Sequence, residues 1–332
     1  MIDSCGIIEP CDHEKCTLRT AFLYCSLLAV AYVGSLYVFV PPMIRTLSRD
    51  HPTHIKYRSQ ACLIVCALAI LSYPSIFCAE HYDASSRGDS RPPFSVARTM
   101  LLPPITAGSF RDVFGVLLHT CILYTGPSVA SLLYTYEFRK RSAGARSMSD
   151  LIYGRLRSMR PNNEPQFWIS MRNYFIAPWT EEIIFRGCMI QVLLATGMAA
   201  KRVTLVAPLF FGIAHLHHAI QKLSNGDPPK RVFVVTAFQF LYTSLFGSYA
   251  SHAFVRVGSV LSVTLSHSYC NWMGLPDLAC FGNPHHPLYK YRRILFVFYL
   301  VGISAFWYLF RVDVLLPLPP KLPGLINTHS NP

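Results

Sequence analysis

Charged and hydrogen-bonding side chains lie inside three otherwise apolar stretches of this sequence. The residues that could do chemistry there are Glu181, Glu182, Arg186, His215, His267 and Asn271. An ionisable group is costly to bury in apolar surroundings unless it is paired, so such a group is expected to have a structural partner or a function. These six residues therefore frame the first question, which is what reaction they could support.

The two adjacent acids are expected to differ in role. Glu182 and Arg186 are four residues apart, so on a helix they share a face and can form an ion pair. Glu181 lies about 100° around an ideal helix from Glu182, which leaves it without a local partner. The pattern predicts Glu181 as a reactive carboxylate, with the Glu182–Arg186 pair as its structural support. The alternative is that both acids only form buried ion pairs.

The histidines and the asparagine suggest two further sets of donors. His215 and His218 are one helical turn apart, and His217 is expected to point elsewhere. An imidazole beside an intramembrane carboxylate favours a functional role, although a lone helical histidine is more often structural. His267 and Asn271 are four residues apart and project together, so both can donate hydrogen bonds to one oxygen. The alternative for these two is an interhelical hydrogen-bond pair.

This set of groups is typical of amide hydrolysis by an activated water molecule. A carboxylate and an imidazole together can deprotonate water and protonate a leaving amine. A histidine and an asparagine can hold the oxyanion of a tetrahedral intermediate, where one donor is worth roughly 3 to 4 kcal/mol in other hydrolases. The sequence has neither an HExxH motif nor a GxSxG motif. Because one glutamate and two histidines lack a preferred ligand spacing, we expect no metal and no cofactor.

The elements that position these residues are predicted to be membrane helices. Of the 332 residues, 52% are hydrophobic and 14% are charged, whereas an average soluble domain is about 25% charged. Apolar runs of membrane-spanning length predict eight helices, at about 21–40, 61–79, 113–134, 173–197, 202–221, 232–254, 258–275 and 294–310. The expected fold is an all-α polytopic helix bundle that forms one integral membrane domain over residues 1–332.

The positive charge of the chain indicates an orientation rather than a nucleic-acid partner. A net charge of +13 would suggest nucleic-acid binding in a soluble protein, but here the basic residues are concentrated in every second loop. These loops are 41–60, 135–172, 222–231 and 276–293. They are predicted to face the cytosol together, and we expect no nucleic-acid partner. Counted at the rise of an α-helix, Glu181, His215, His267 and Asn271 lie within roughly 13 Å of the cytosolic side. One water-filled site open to the cytosol would require such a common depth.

Three motifs in order resemble the type II CAAX prenyl endopeptidases, the Ras-converting enzymes, within a superfamily of membrane proteases that share an EExxxR motif. The motifs are Glu181-Glu182-x-x-x-Arg186, Phe211-x-x-x-His215 and His267-x-x-x-Asn271. They lie within residues 168–275, and the FGxAHxHH stretch is similar to the eukaryotic branch in particular. The resemblance implies that the Glu182–Arg186 pair supports the site rather than acting on the substrate.

The resemblance also implies an activity, a location and partners. The enzyme would be a multi-pass protein of the endoplasmic reticulum membrane with its active site towards the cytosol. It would remove the last three residues of prenylated CAAX proteins such as Ras-type GTPases. Glu181 and His215 would activate the water, and His267 and Asn271 would form the oxyanion site. Its partners would be prenylated CAAX proteins and membrane lipid.

Two other classes of function are compatible with parts of the pattern. A non-proteolytic membrane scaffold would keep the fold and lose the chemistry, but all four candidate catalytic residues are present. A proton-coupled transporter would also carry intramembrane glutamate and histidine. Against a transporter, the sequence has no internal repeat and no paired broken helices.

Overall fold

All the regular structure that is described in this protein is helical. The structure is a computed structural model, and it describes residues 17–77, 107–141 and 163–312. The helices are α1 (Leu18–Val38), α2 (Pro42–Arg45), α3 (Pro52–Phe77), α4 (Ala107–Leu123), α5 (Thr125–Arg141), α6 (164–195), α7 (Ala200–Ala214), α8 (His217–Ser224), α9 (Pro229–Val257), α10 (Val260–Met273), α11 (Ala279–Gly282) and α12 (Arg292–Val312), with a 3₁₀ turn at Tyr289–Tyr291 before α12. The predicted all-α fold is confirmed.

Helix α6 is continuous but alternates between α-helical and π-helical turns. Its successive segments are α-helical Glu164–Met171, π-helical Arg172–Ile176, α-helical Ala177–Glu182, π-helical Ile183–Cys188 and α-helical Met189–Ala195. Pro178 has no N–H to donate to the carbonyl four residues earlier, so a regular α-helix cannot pass through this point. Widened π turns are frequent at functional sites. Here they flank the short segment that ends in Glu181 and Glu182.

The number of membrane spans differs from the prediction. Among the described residues, five helices are long and apolar enough to cross a membrane, namely Leu18–Val38, Pro52–Ser72, Ala200–Ser224, Pro229–Val257 and Tyr289–Arg311. The pair formed by α4 and α5 is bent by 64° and would be a sixth span. The predicted count of eight is therefore not confirmed. Helix α10 has 14 residues and so is about 21 Å long, short of the roughly 30 Å hydrocarbon core.

The predicted span 173–197 is the other one that does not qualify, and much of it lies inside the bundle. Its residues lie in α6, whose second half is enclosed by other helices, with Ile184 and Met189 fully buried. Helix α6 also carries three charged residues there, which lowers its apolar character. It is therefore the centre of the bundle and is largely shielded by its neighbours.

The outer helices expose apolar surface that water would not tolerate. Large hydrophobic side chains project outward from α1, α3, α9 and α12, and Phe233 of α9 is 74% exposed. Soluble monomers rarely expose contiguous apolar patches of this kind. The chain is accordingly a multi-pass membrane protein, with α6 packed against α1, α3, α7, α9 and α10.

Close packing of α9 against α7 confines the arginine of the EExxxR motif. A Cβ atom on Gly247 of α9 would lie 2.9 Å from the Pro208 Cβ atom of α7 and 3.3 Å from the Arg186 Nη2 atom of α6. Small residues allow membrane helices to approach in this way. The absence of a side chain at Gly247 thus leaves the space that the Arg186 guanidinium occupies.

A tight reversal brings α10 back along α9 towards α6. Gly258 has a φ angle of +68° and ends α9, a conformation that glycine adopts readily. The Ser259 hydroxyl then accepts a hydrogen bond from the Ser262 N–H at 3.3 Å and caps the start of α10. Because α10 packs against α6, His267 reaches Glu182 and Asn271 reaches Asn173.

Candidate active site

A fully buried carboxylate lies at the centre of the site. The Glu182 Oε1 atom is 3.0 Å from Arg186 Nη1 and 2.8 Å from His267 Nδ1. The side chains of Glu182 and Arg186 are 0% and 1% exposed, and the guanidinium lies 4.5 Å from the centroid of the Phe211 ring. The predicted Glu182–Arg186 pair is confirmed. The contact to His267 adds a link from α6 to α10.

The second acid faces His267 from the other side. The Glu181 Oε2 atom is 3.8 Å from His267 Nε2, and the Glu181 side chain is 19% exposed. This distance is longer than a hydrogen bond, so the two groups are neighbours without being bonded. The His267 ring therefore lies between the two acids, with Nδ1 bonded to Glu182 and Nε2 directed towards Glu181.

His215 lies where helix α7 ends. After Ala214 the backbone tightens, and the His215 N–H donates to the Gly212 carbonyl at 3.1 Å. The His215 Nδ1 atom is 2.7 Å from the Phe211 carbonyl, which can only accept, so Nδ1 carries the hydrogen. In neutral imidazole this leaves Nε2 as a proton acceptor. The fold thus fixes the tautomer that a general base needs.

Glu181 and His215 line the same cavity, which has a volume of about 100 Å³. Helices α1, α3, α6, α7 and α8 contribute to its walls. The Tyr32 hydroxyl of α1 lies in the wall and is 2.9 Å from the Thr180 hydroxyl, next to Glu181. A cavity of this size with polar groups in its wall has room for water molecules. The two residues predicted to activate water are therefore placed together.

Asn271 is placed differently from the other predicted site residues. Its side-chain Nδ2 group is exposed and donates to the Asn173 carbonyl oxygen at 3.0 Å. Neither Asn271 nor His267 is part of the cavity wall that contains Glu181 and His215. His267 lies next to Glu181, which is part of the cavity wall. The Asn271 amide instead holds α10 against the first π turn of α6. Their oxyanion roles stay predictions.

The expectation that His217 points elsewhere is wrong. A break in the helix at His215 and Leu216 changes the direction of the chain, and His217 lies in the same cavity wall as His215 and His218. The His217 Nδ1 atom is 2.6 Å from the Ala214 carbonyl, and its Nε2 atom is buried without a hydrogen-bond partner. The rings of His217 and His218 are 3.9 Å apart. An ideal helix could not have placed all three histidines together.

Sequence reasoning missed three arginines that line the cavity. They are Arg49, Arg58 and Arg172, which the sequence analysis used only as markers of orientation. The signal that could have identified Arg49 and Arg58 is the density of basic residues in loop 41–60, directly before an apolar helix, and Arg172 directly precedes the predicted span 173–197. No motif or spacing in the sequence distinguishes Tyr32 from the other aromatic residues of the apolar helices.

A metal centre has no evident ligand set in the part of the chain that the structure describes. No three or more His, Cys, Asp or Glu side chains are grouped there so as to hold an ion. The described cysteines are free, and Cys25, Cys62, Cys66 and Cys188 belong to the hydrophobic core, where cysteine acts as a small apolar residue. The expectation of a reaction without metal stays a prediction.

Sequence comparisons identify relatives over most of the chain. The profile of the family described as Type II CAAX prenyl endopeptidase Rce1-like matches residues 163–273. The CAAX prenyl protease 2 of Homo sapiens is 34% identical over 305 residues, which cover 90% of this chain and 82% of that protein. The CAAX prenyl protease 2 of Arabidopsis thaliana is 27% identical over 328 residues, which cover 96% of this chain and 95% of that protein. No solved structure matches.

Replacement of the buried acid should primarily affect stability. We expect Glu182→Gln to lower the free energy of unfolding by about 3 to 5 kcal/mol, because it leaves the Arg186 charge buried without its partner. Thermal unfolding of the purified protein in detergent measures this. Glu164→Gln is the matched control, because the Glu164–Lys56 pair is exposed and should contribute little. A Glu182→Gln protein of normal stability without activity would show that the two acids have exchanged roles.

Proposed function

The chain belongs to the type II CAAX prenyl endopeptidase Rce1-like family of proteases, and we propose that it removes the three C-terminal residues from prenylated CAAX proteins, including Ras-type GTPases. The observation that carries this proposal is the shared cavity wall of Glu181 and His215. Both residues lie in the segment 163–273 that matches the family. The cavity is thus the place where we expect water to be activated.

In the proposed reaction, Glu181 and His215 act on one water molecule. Its proton passes to the Glu181 carboxylate or to the bare Nε2 atom of His215, and its oxygen attacks the carbonyl carbon of the prenylated cysteine. The C–N bond to the next residue breaks in the second step. The protonated base returns its proton to the leaving nitrogen, so that the products are a new carboxyl terminus and a free tripeptide.

The proposed oxyanion site places a requirement on His267. Its Nδ1–H is given to Glu182, so Nε2 can donate to a substrate oxygen only if the ring is an imidazolium. The carboxylates of Glu182 and Glu181 supply the negative charge that such a ring needs. Asn271 would have to exchange the Asn173 carbonyl for the substrate oxygen, which makes Asn271 a donor recruited on binding.

We also propose that the protein lies in the endoplasmic reticulum membrane with the cavity open to the cytosol. Contacts between two of the basic loops support this arrangement. Arg172 pairs with Asp50 at 2.8 Å, and Lys56 pairs with Glu164 at 2.9 Å. Loop 41–60 and the start of α6 therefore lie on the same side. Basic loops that share a side are typical of the cytosolic face.

The catalytic role of Glu181 is tested by a change that keeps its size. We expect Glu181→Gln to lower the rate of cleavage of a farnesylated CAAX peptide by at least about 100-fold, because an amide cannot accept the proton. Its thermal stability should stay near that of the unchanged protein, in contrast to Glu182→Gln. Purified protein and release of the tripeptide provide the assay. Turnover by Glu181→Gln at the normal rate would rule out the assigned role.

The role of Asn271 is tested by separating kcat from KM. We expect Asn271→Ala to lower kcat by roughly 100- to 1000-fold with little change in KM, the pattern for the loss of one oxyanion donor. The control is Asn225→Ala, at the exposed end of α8, which should keep both constants. A pure KM effect, or lower stability with normal kcat, would place Asn271 in substrate binding or in the α6–α10 contact instead.

The orientation is tested by labelling a cysteine introduced between α2 and α3. Ser48 is exposed there, so Ser48→Cys should react with a membrane-impermeant maleimide added to the cytosolic face of sealed microsomes. The unchanged protein provides the background from its native cysteines. Labelling that appears only after the lumen is opened would reverse the proposed orientation.

A further inference from the structure

Basic side chains surround the cavity that contains Glu181 and His215. We refer to this set as the anion subsite, and it consists of Arg49, Arg58, Arg172, His217 and His218. The set comes from four places in the chain, namely the segment before α3, helix α3, the first π turn of α6 and the start of α8. Neither water activation nor oxyanion binding uses these side chains.

In the described part of the chain, the three arginines of the anion subsite outnumber the two acids beside them, Asp50 and Glu181. Within the described ranges, Asp50 is the one carboxylate at ion-pair distance from these arginines, and it pairs with Arg172 at 2.8 Å. Arg58 lies 5.7 Å from the centroid of the Tyr37 ring, and Arg49 approaches only a histidine. Two guanidinium groups thus remain without an acidic partner.

Arg49 lies close to two other guanidinium groups. Desolvation, followed by the nearby charges of Arg58 and Arg172, lowers the pKa of Arg49. A bound anion would offset the repulsion among these guanidinium groups. The cluster is therefore arranged for an anionic ligand.

His218 connects His215, at the proposed reaction centre, to Arg49. The His215 and His218 ring centroids are 6.0 Å apart, and the His218 Nδ1 atom is 3.5 Å from Arg49 Nη1. Three extended residues span about 10 Å. A tripeptide is therefore long enough to reach from His215 to Arg49.

We propose that the anion subsite binds the free α-carboxylate at the C-terminus of the substrate, mainly through Arg49 and Arg58. The proposal rests on the proposed function and deepens it. Recognition of the terminal carboxylate at a fixed distance would set the cleavage point three residues from the end. Arginine suits this task, because its planar group can bind a carboxylate through two parallel hydrogen bonds.

The cavity wall also has an apolar part, which suits aliphatic side chains of a substrate. Val33, Leu36 and Ile55 line the cavity together with the basic groups. The penultimate residues of a CAAX sequence are aliphatic, and burial of such side chains is favourable. The combination of an apolar wall with a cationic end matches a short apolar peptide that ends in a carboxylate.

The decisive experiment compares two farnesylated CAAX peptides that differ only at the C-terminus, one with a free acid and one with an amide. We expect amidation to lower kcat/KM of the unchanged protein by roughly 10- to 100-fold, the range for loss of a hydrogen-bonded charge. Arg58→Gln should lower cleavage of the acid by a similar factor and leave cleavage of the amide unchanged. The acid-to-amide ratio would then approach one.

Two further variants control for folding and for general loss of charge. Arg49 lies in the connecting segment before α3, and Arg49→Gln should also reduce the acid-to-amide ratio. Arg45→Gln is the matched control, because Arg45 donates to the Val40 carbonyl at 2.7 Å and does not line the cavity. It should keep the ratio of the unchanged protein. An equal loss of ratio in Arg45→Gln would overturn the assignment.

The remaining outcomes distinguish failure of the carboxylate subsite from failure of the proposed protease function. A ratio near one for the unchanged protein would overturn the carboxylate subsite. Equal losses for acid and amide in Arg58→Gln would do the same and would indicate a lipid phosphate as the ligand. If neither peptide is cleaved, the proposed function fails. In that case the subsite is decided by binding of the tripeptide valyl-isoleucyl-methionine, whose acid should raise the Tm of the protein more than its amide does, whereas equal shifts would refute it.

Discussion

The buried carboxylate of Glu182 is the constraint on which the rest of the site depends. It holds Arg186 of its own helix and His267 of α10 through one oxygen atom. A charge without water must be paired and hydrogen-bonded, so α6 and α10 can pack only in a register that brings all three groups together. Gly247 keeps open the space that Arg186 fills. The position of the His267 ring, and thus of its Nε2 atom beside Glu181, follows from this arrangement.

The parts of the site that were predictable from sequence are those that depend on local spacing. The Glu182–Arg186 pair follows from a separation of four residues, which tolerates the π turn at Ile183–Cys188. The all-helical membrane fold follows from composition. The positions of His217 and Asn271 were not predictable, because the first depends on a helix break after Ala214 and the second on a backbone carbonyl from another helix. Ideal helical geometry contains neither piece of information.

The number of spans could not be read from hydrophobic runs for a related reason. An apolar run indicates burial but does not distinguish lipid from neighbouring helices. The second half of α6 is surrounded by other helices rather than by lipid, and α10 is too short to cross the membrane alone. The orientation inferred from alternate loops depended on the full count. The direct contact between Arg172 and Asp50 places two of the basic segments on one side without any count.

The difference in burial between the two sets of charges has a consequence for ionic strength. Mobile ions screen exposed charges over a Debye length of about 8 Å at 0.15 M salt, but they do not enter a close-packed helix bundle. The Glu182–Arg186 pair, which is 0% and 1% exposed, therefore keeps its strength in concentrated electrolyte. The exposed Lys56–Glu164 pair does not. Salt consequently weakens the exposed ion pair, while the buried contacts between Glu182, Arg186 and His267 stay insensitive to it.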